Sequence, residues 1–189
     1  MPRRKRPVRA LDKKEGKRFK IAYAEALNAF ELLAFQFIST VRKAMADAGL
    51  KDHRMAHAAL ASQTADPLNA VWYSTFHGLV ENDPALLKHL ATIRNFNREL
   101  IKERNILAHT AFWGHPNADI AKEGLQVFLL RNSSEGAKSL NRRFRTQDLL
   151  TFRAKCDRAA HAVLIFSVAA KDSGWKTALD QVVARMKQS

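Results

Sequence analysis

From Phe19 onward, apolar residues recur at three- and four-residue steps: Phe19, Tyr23, Ala26, Phe30, Leu33, Phe37, Val41 and Met45 share one stripe. The period is that of an α-helix with one buried face. This helix should end near Gly49, a residue suited to the left-handed C′ position. A weaker, alanine-rich helix is expected from Asp52 to about Gln63. Asp66-Pro67 and Asp83-Pro84 each read as a capping acceptor followed by a proline at the first helical position. The first pair opens a helix bearing Leu68, Val71, Trp72, Phe76 and Leu79; the second opens a long helix running to about Ala108.

The period changes after Trp113-Gly114-His115-Pro116. Leu125 to Arg131 is rich in β-formers, Asn132 to Gly136 is turn chemistry, and Ala137 to Arg145 reads as a returning strand. Thr146 is read as the cap of a helix with Leu149, Phe152, Cys156, Ala160, Val163 and Phe166 inside. Ser173 is read as the cap of a short last helix carrying Leu179, Val182, Val183 and Met186. No internal repeat is visible. The pattern predicts a mainly α protein, an antiparallel helical bundle with a short β-hairpin inserted before the penultimate helix.

Composition narrows this picture. A length of 189 residues suits one domain with a core. Apolar residues make up 47% and charged residues 26%, as in globular proteins. The longest apolar run, Ala162 to Ala170, is too short for a bilayer, and no secretory signal follows the basic N-terminus. The single Cys156 excludes an internal disulfide framework and fits a reducing compartment, so the expected location is cytoplasmic, with no membrane partner. The net charge of +14 is uneven, because residues 1–20 hold ten Lys/Arg against two Asp/Glu. Residues 1–16 have the composition of a disordered basic tail, with residues 17–189 as the folded domain. Such a tail either attracts RNA, DNA or anionic lipid, or only solubilises.

The long helix from Pro84 carries the pointed chemistry. Advancing about 100° per residue puts Leu86, Leu90, Ile93, Phe96, Leu100, Ile101 and Leu107 on one side. Lys88, Arg94, Arg98, Glu99 and Lys102 fall opposite. Asn97 and Arg104 break the rule by landing at the centre of the apolar stripe. An inward guanidinium is costly unless a carboxylate, an amide, a partner subunit or a phosphate compensates it. Asn105 follows directly. His109, four residues on, shares a face with Asn105 if the helix continues, and the helix C-terminus favours its protonated form. Arginine to stabilise charge on phosphorus, an amide to position and histidine to move protons form a usable set for phosphodiester chemistry. The same three residues also serve as caps and ion-pair partners in many helix ends.

Arg104-Asn105-Ile106-Leu107-Ala108-His109 resembles the signature of HEPN-domain ribonucleases: an arginine, usually a polar residue next, and a histidine after four to six intervening residues. At the level of identifiable residues the likeness covers these six, with a looser echo in Thr110 to Gly114; as architecture it covers about 19–170. It implies a HEPN-like helical domain that pairs so that two motifs face one cleft. It also implies metal-independent RNA cleavage by the ribose 2′-hydroxyl, in a toxin or phage-defence setting. Arg104 would bind the scissile phosphate, Asn105 would orient it or the histidine, and His109 would be general base or acid. RNA is then the expected partner, with a second copy of the chain and an antitoxin or regulatory protein besides; no cofactor and no metal are expected.

Other candidates carry alternatives. Asn97, beside Arg104 on the stripe, is a further candidate RNA contact. Trp113 either stacks on a base or closes the bundle end. Arg142, Arg143 and Arg145 form a phosphate-tracking rim or blunt a sheet edge. His53 and His57 could share a metal by spacing but lack accompanying ligands, and read better as exposed histidines. Cys156 and His161 do not face each other well, and Cys156 reads as core. The competing function is a non-catalytic helical module that binds nucleic acid or a protein, with Arg104 sealed against an acid such as Glu31 or Glu103. A DNA-binding helix-turn-helix lacks its short basic helix pair.

Overall fold

The computed structural model describes residues 13–109, 111–113, 125–133 and 136–186; at Lys13, His53, His109, 111–113, 125–133 and 136–142 it describes the backbone alone. The described residues are mostly helical, with six α-helices: α1 Lys13–Asp47, α2 His53–Ala61, α3 Ala65–Leu79, α4 Pro84–His109, α5 Thr146–Ala169 and α6 Lys176–Met186. Three strands, β1 Ala111–Trp113, β2 Leu125–Ser133 and β3 Gly136–Phe144, lie between α4 and α5.

Helix ends follow local chemistry. α1 stops because Gly49 turns to φ +98°. Leu50 N–H then donates to the Met45 carbonyl and Gly49 N–H to Ala46, which satisfies carbonyls the helix leaves open. Asp52 caps α2 by accepting from Arg54 N–H, and Asp83 caps α4 by accepting from Ala85 and Leu86 N–H. Three caps differ from expectation. Thr64, not Asp66, precedes α3, which puts Asp66 and Pro67 inside its first turn. Proline is tolerated there because first-turn N–H groups have no intrahelical acceptor. Arg145 rather than Thr146 is the N-cap of α5, where the Asp148 carboxylate accepts from Arg145 N–H at 2.8 Å. Thr146, inside the helix, donates its hydroxyl to Glu15 instead. Asp172, not Ser173, caps a 3-10 turn that leads into α6. α1 begins at Lys13, so residues 13–16, expected in the tail, are helical; the rest of that tail lies outside the described residues.

The core is shared by all six helices and centres on Phe37, Trp72, Phe76 and Phe166, whose rings meet at 5.6–5.9 Å. Edge-on contacts of Phe166 with Trp72 and Phe76 suit the ring quadrupoles. Leu79, expected inside, is exposed. By length and composition α1 is, among the described residues, the one helix able to cross a membrane. Its stripe from Phe19 to Val41 is nevertheless buried within the core, apart from the half-buried Tyr23.

The expected antiparallel bundle needs one correction. α1 packs most extensively on α5, and the two run parallel. Glu15 meets Thr146, Glu25 meets Arg153, and Asp47 meets Lys171, so both chains advance together. α3 and α4 are antiparallel neighbours. β2 pairs antiparallel with both β1 and β3, and the row Trp113–Gln126–Arg143 crosses the sheet. The three-residue β1 was not foreseen. Phe144, at the end of β3, is fully buried and anchors the sheet to the helices.

Candidate functional site

Beyond the N-terminal tip of α3, the last turns of α4 are left partly uncovered. There α1, the α2–α3 junction and α4 enclose an open cavity of about 430 Å³. Its polar wall comprises Glu31, Gln63, Thr64, Asp66, Arg104 and Asn105. Phe30 forms part of its floor, and the Arg104 guanidinium carbon lies 5.5 Å from that ring's centre.

Arg104 is held from several sides. Its Nη2 donates to Glu31 Oε1 at 3.2 Å, and its Nη1 lies 3.5 Å from Asn105 Oδ1. Its Nε is buried and finds no acceptor among the described residues. The ion pair is not sealed, since the side chains of Arg104 and Glu31 remain 29% and 61% exposed. The inward arginine read from the helical projection thus sits at a rim, with one of the two proposed acids as its partner. Tyr23 secures the same turn, its hydroxyl donating to the Leu107 carbonyl at 3.1 Å. Burial raises the Tyr23 pKa, and the nearby Arg104 charge partly opposes the rise.

The predicted residues do not all converge here. Arg104 and Asn105 share the cavity. His109 is the last residue of α4, and its side chain lies outside the described residues. Asn97, expected to join Arg104 and contact RNA, is fully buried two turns away. Its Nδ2 donates to Asn69 Oδ1 at 3.5 Å, and Asn69 Nδ2 donates to the Arg94 carbonyl at 3.4 Å. Asn97 therefore joins α3 to α4 and has no access to a ligand. The side chains of Trp113 and Arg142 lie outside the described residues. In backbone register Trp113 and Arg143 belong to one row and Arg142 to the next. Arg145 has left the strand. Arg143 and Arg145 are both exposed.

Elsewhere, Cys156 is buried and burial pushes its thiol pKa up, as fits a core residue. His57 is exposed, with Arg42 3.5 Å from its Nδ1; the His53 side chain and His115-Pro116 lie outside the described residues. Asp66 is the residue that sequence reasoning misplaced. Read as a helix cap, it instead lines both the main cavity and a smaller one of about 140 Å³ with Asn69, Arg94 and Arg98. Comparison with family models, curated proteins and solved structures finds no match to this chain.

Proposed function

We propose that the chain is a metal-independent endoribonuclease of toxin or phage-defence type, with a HEPN-like domain acting as a homodimer through Arg104, Asn105 and His109. The observation that carries this reading is the Arg104 guanidinium at an open cavity, its Nε without an acceptor among the described residues and an amide beside it. A phosphate entering there gains charge-assisted hydrogen bonds in a partly desolvated setting. His109, one helical turn beyond Asn105, takes the proton of the ribose 2′-hydroxyl as that oxygen attacks phosphorus. The phosphorus–O5′ bond breaks, the leaving oxygen is protonated, and the products carry 2′,3′-cyclic phosphate and 5′-hydroxyl ends.

A second reading has its own observation. The Arg104–Glu31 pair, though not sealed, supplies the acidic partner expected in a non-catalytic helical module, in which the arginine joins α4 to α1. Incubation of mixed RNA with the protein in EDTA separates the two. The wild type should cleave and leave cyclic phosphate ends. His109→Ala should lose roughly 10²–10⁴ in rate with its thermal unfolding unchanged. Undiminished cleavage by His109→Ala would rule out the assignment, and inert wild-type protein favours the module.

A further inference from the structure

The two cavities that meet at Asp66 lie on either side of the N-terminal tip of α3. The larger holds Arg104; the smaller holds Arg94 and Arg98. Along α4, Arg94 and Arg98 are about 6 Å apart, and Arg104 lies about 9 Å further. The three arginines thus lie within about 15 Å along α4, in two cavities that share Asp66. Arg94 is preorganised, its guanidinium 4.2 Å from the centre of the Tyr73 ring, which itself lies tilted against His77 with ring centres 5.6 Å apart. Arg98 is exposed, and no carboxylate among the described residues pairs with it. On the facing wall, Asp66 and Gln63 offer acceptors and amide groups rather than cations.

We propose that this bent groove between α3 and α4 seats the stretch of single-stranded RNA flanking the scissile phosphate, backbone against Arg94 and Arg98, base edges toward Asp66. The inference rests on the ribonuclease reading for the role of Arg104, but its own residues lie outside the cleaving set. Cations spaced along a groove with an aromatic surface beside them suit a single strand, whose phosphates and base faces are both accessible. A duplex cannot bend round a helix tip of this size at such short range.

The test is fluorescence anisotropy with a labelled ten-nucleotide RNA fully 2′-O-methylated, so that no 2′-hydroxyl can attack. Wild type, Arg98→Ala, Arg104→Ala and Lys102→Ala are titrated across a salt series. Lys102 is exposed on the same helix, outside both cavities and paired with Glu99. Arg98→Ala should weaken binding roughly tenfold and flatten the log–log salt slope by about 0.7, the share of one phosphate contact. Lys102→Ala should do neither. If Arg98→Ala and Lys102→Ala behave alike, the groove is overturned. If in that case Arg104→Ala still loses affinity and the wild type still cleaves natural RNA, the ribonuclease reading stands without it. No measurable wild-type binding also overturns the groove.

Discussion

Glu31 decides how far Arg104 can serve a ligand. A carboxylate 3.2 Å from the guanidinium competes with any phosphate, yet it is 61% exposed and free to swing into water. Pairs this exposed contribute little to stability. Glu31→Gln should therefore shift unfolding by no more than about 1 kcal/mol while tightening the binding of the methylated RNA. Weaker binding by that variant would mean that Glu31 positions Arg104 rather than competing for it. Tyr23 offers a second residue-scale test. Burial raises its pKa above the ordinary value of 10.0, so its neutral form is favoured in the folded chain. Its contribution is intact below pH 10 and is lost as pH climbs through the raised folded value. Tyr23→Phe should lower stability by about 0.5–1.5 kcal/mol near neutrality, through the lost bond to Leu107. It should also remove this part of the alkaline decline in a pH series of thermal melts. At this scale the sequence revealed the inward Arg104, because helical projection needs only spacing. It could not choose between Glu31 and Glu103, because Glu103 lies on α4 itself while Glu31 meets Arg104 only once α1 packs against α4.

At the scale of elements, the Asn69–Asn97 pair is the polar link between α3 and α4. Both side chains are buried, and Asn97 Oδ1 has no partner among the described residues. Removing one amide strands the other; removing both leaves an apolar contact with nothing to satisfy. Asn97→Ala and Asn69→Ala should each cost about 1–3 kcal/mol, and the double variant distinctly less than their sum. Additive losses in denaturant melts would show that the two amides act separately. Helix existence was legible here because long 3.6-residue periods leave little choice. Caps were less so: Asp66-Pro67 fits an N-cap with proline at the first position and equally a first turn that starts two residues earlier. That ambiguity hid Asp66 as a cavity residue. β1 was invisible because three residues carry too little alternation to register.

At the scale of the molecule, the parallel alignment of α1 and α5 is what sequence reasoning missed, and its cause is general. Short connections make consecutive helices antiparallel, but α1 and α5 are separated by three helices and three strands, and no local rule fixes their relative sense. Polar links along the shared length mark the alignment. Two lysines close the end of the bundle opposite the candidate site: Lys171 binds Asp47 at the end of α1, and Lys176 binds Asp83 at the start of α4. Both carboxyls are held below their ordinary pKa of 3.8, first of all by the hydrogen bond from the lysine. A depressed carboxyl pKa stabilises the fold above the unfolded value, and that contribution disappears as pH falls through the folded one. Asp47→Asn with Asp83→Asn should therefore melt below the wild type at neutral pH, and the gap should close as the pH drops below 3.8. Because these pairs lie far from Arg104, the RNA cleavage proposed for the chain should be unchanged in the double variant at temperatures where it is folded. A gap that stayed constant down to acid pH would mean that the charge of the two carboxylates is not what stabilises this end of the bundle.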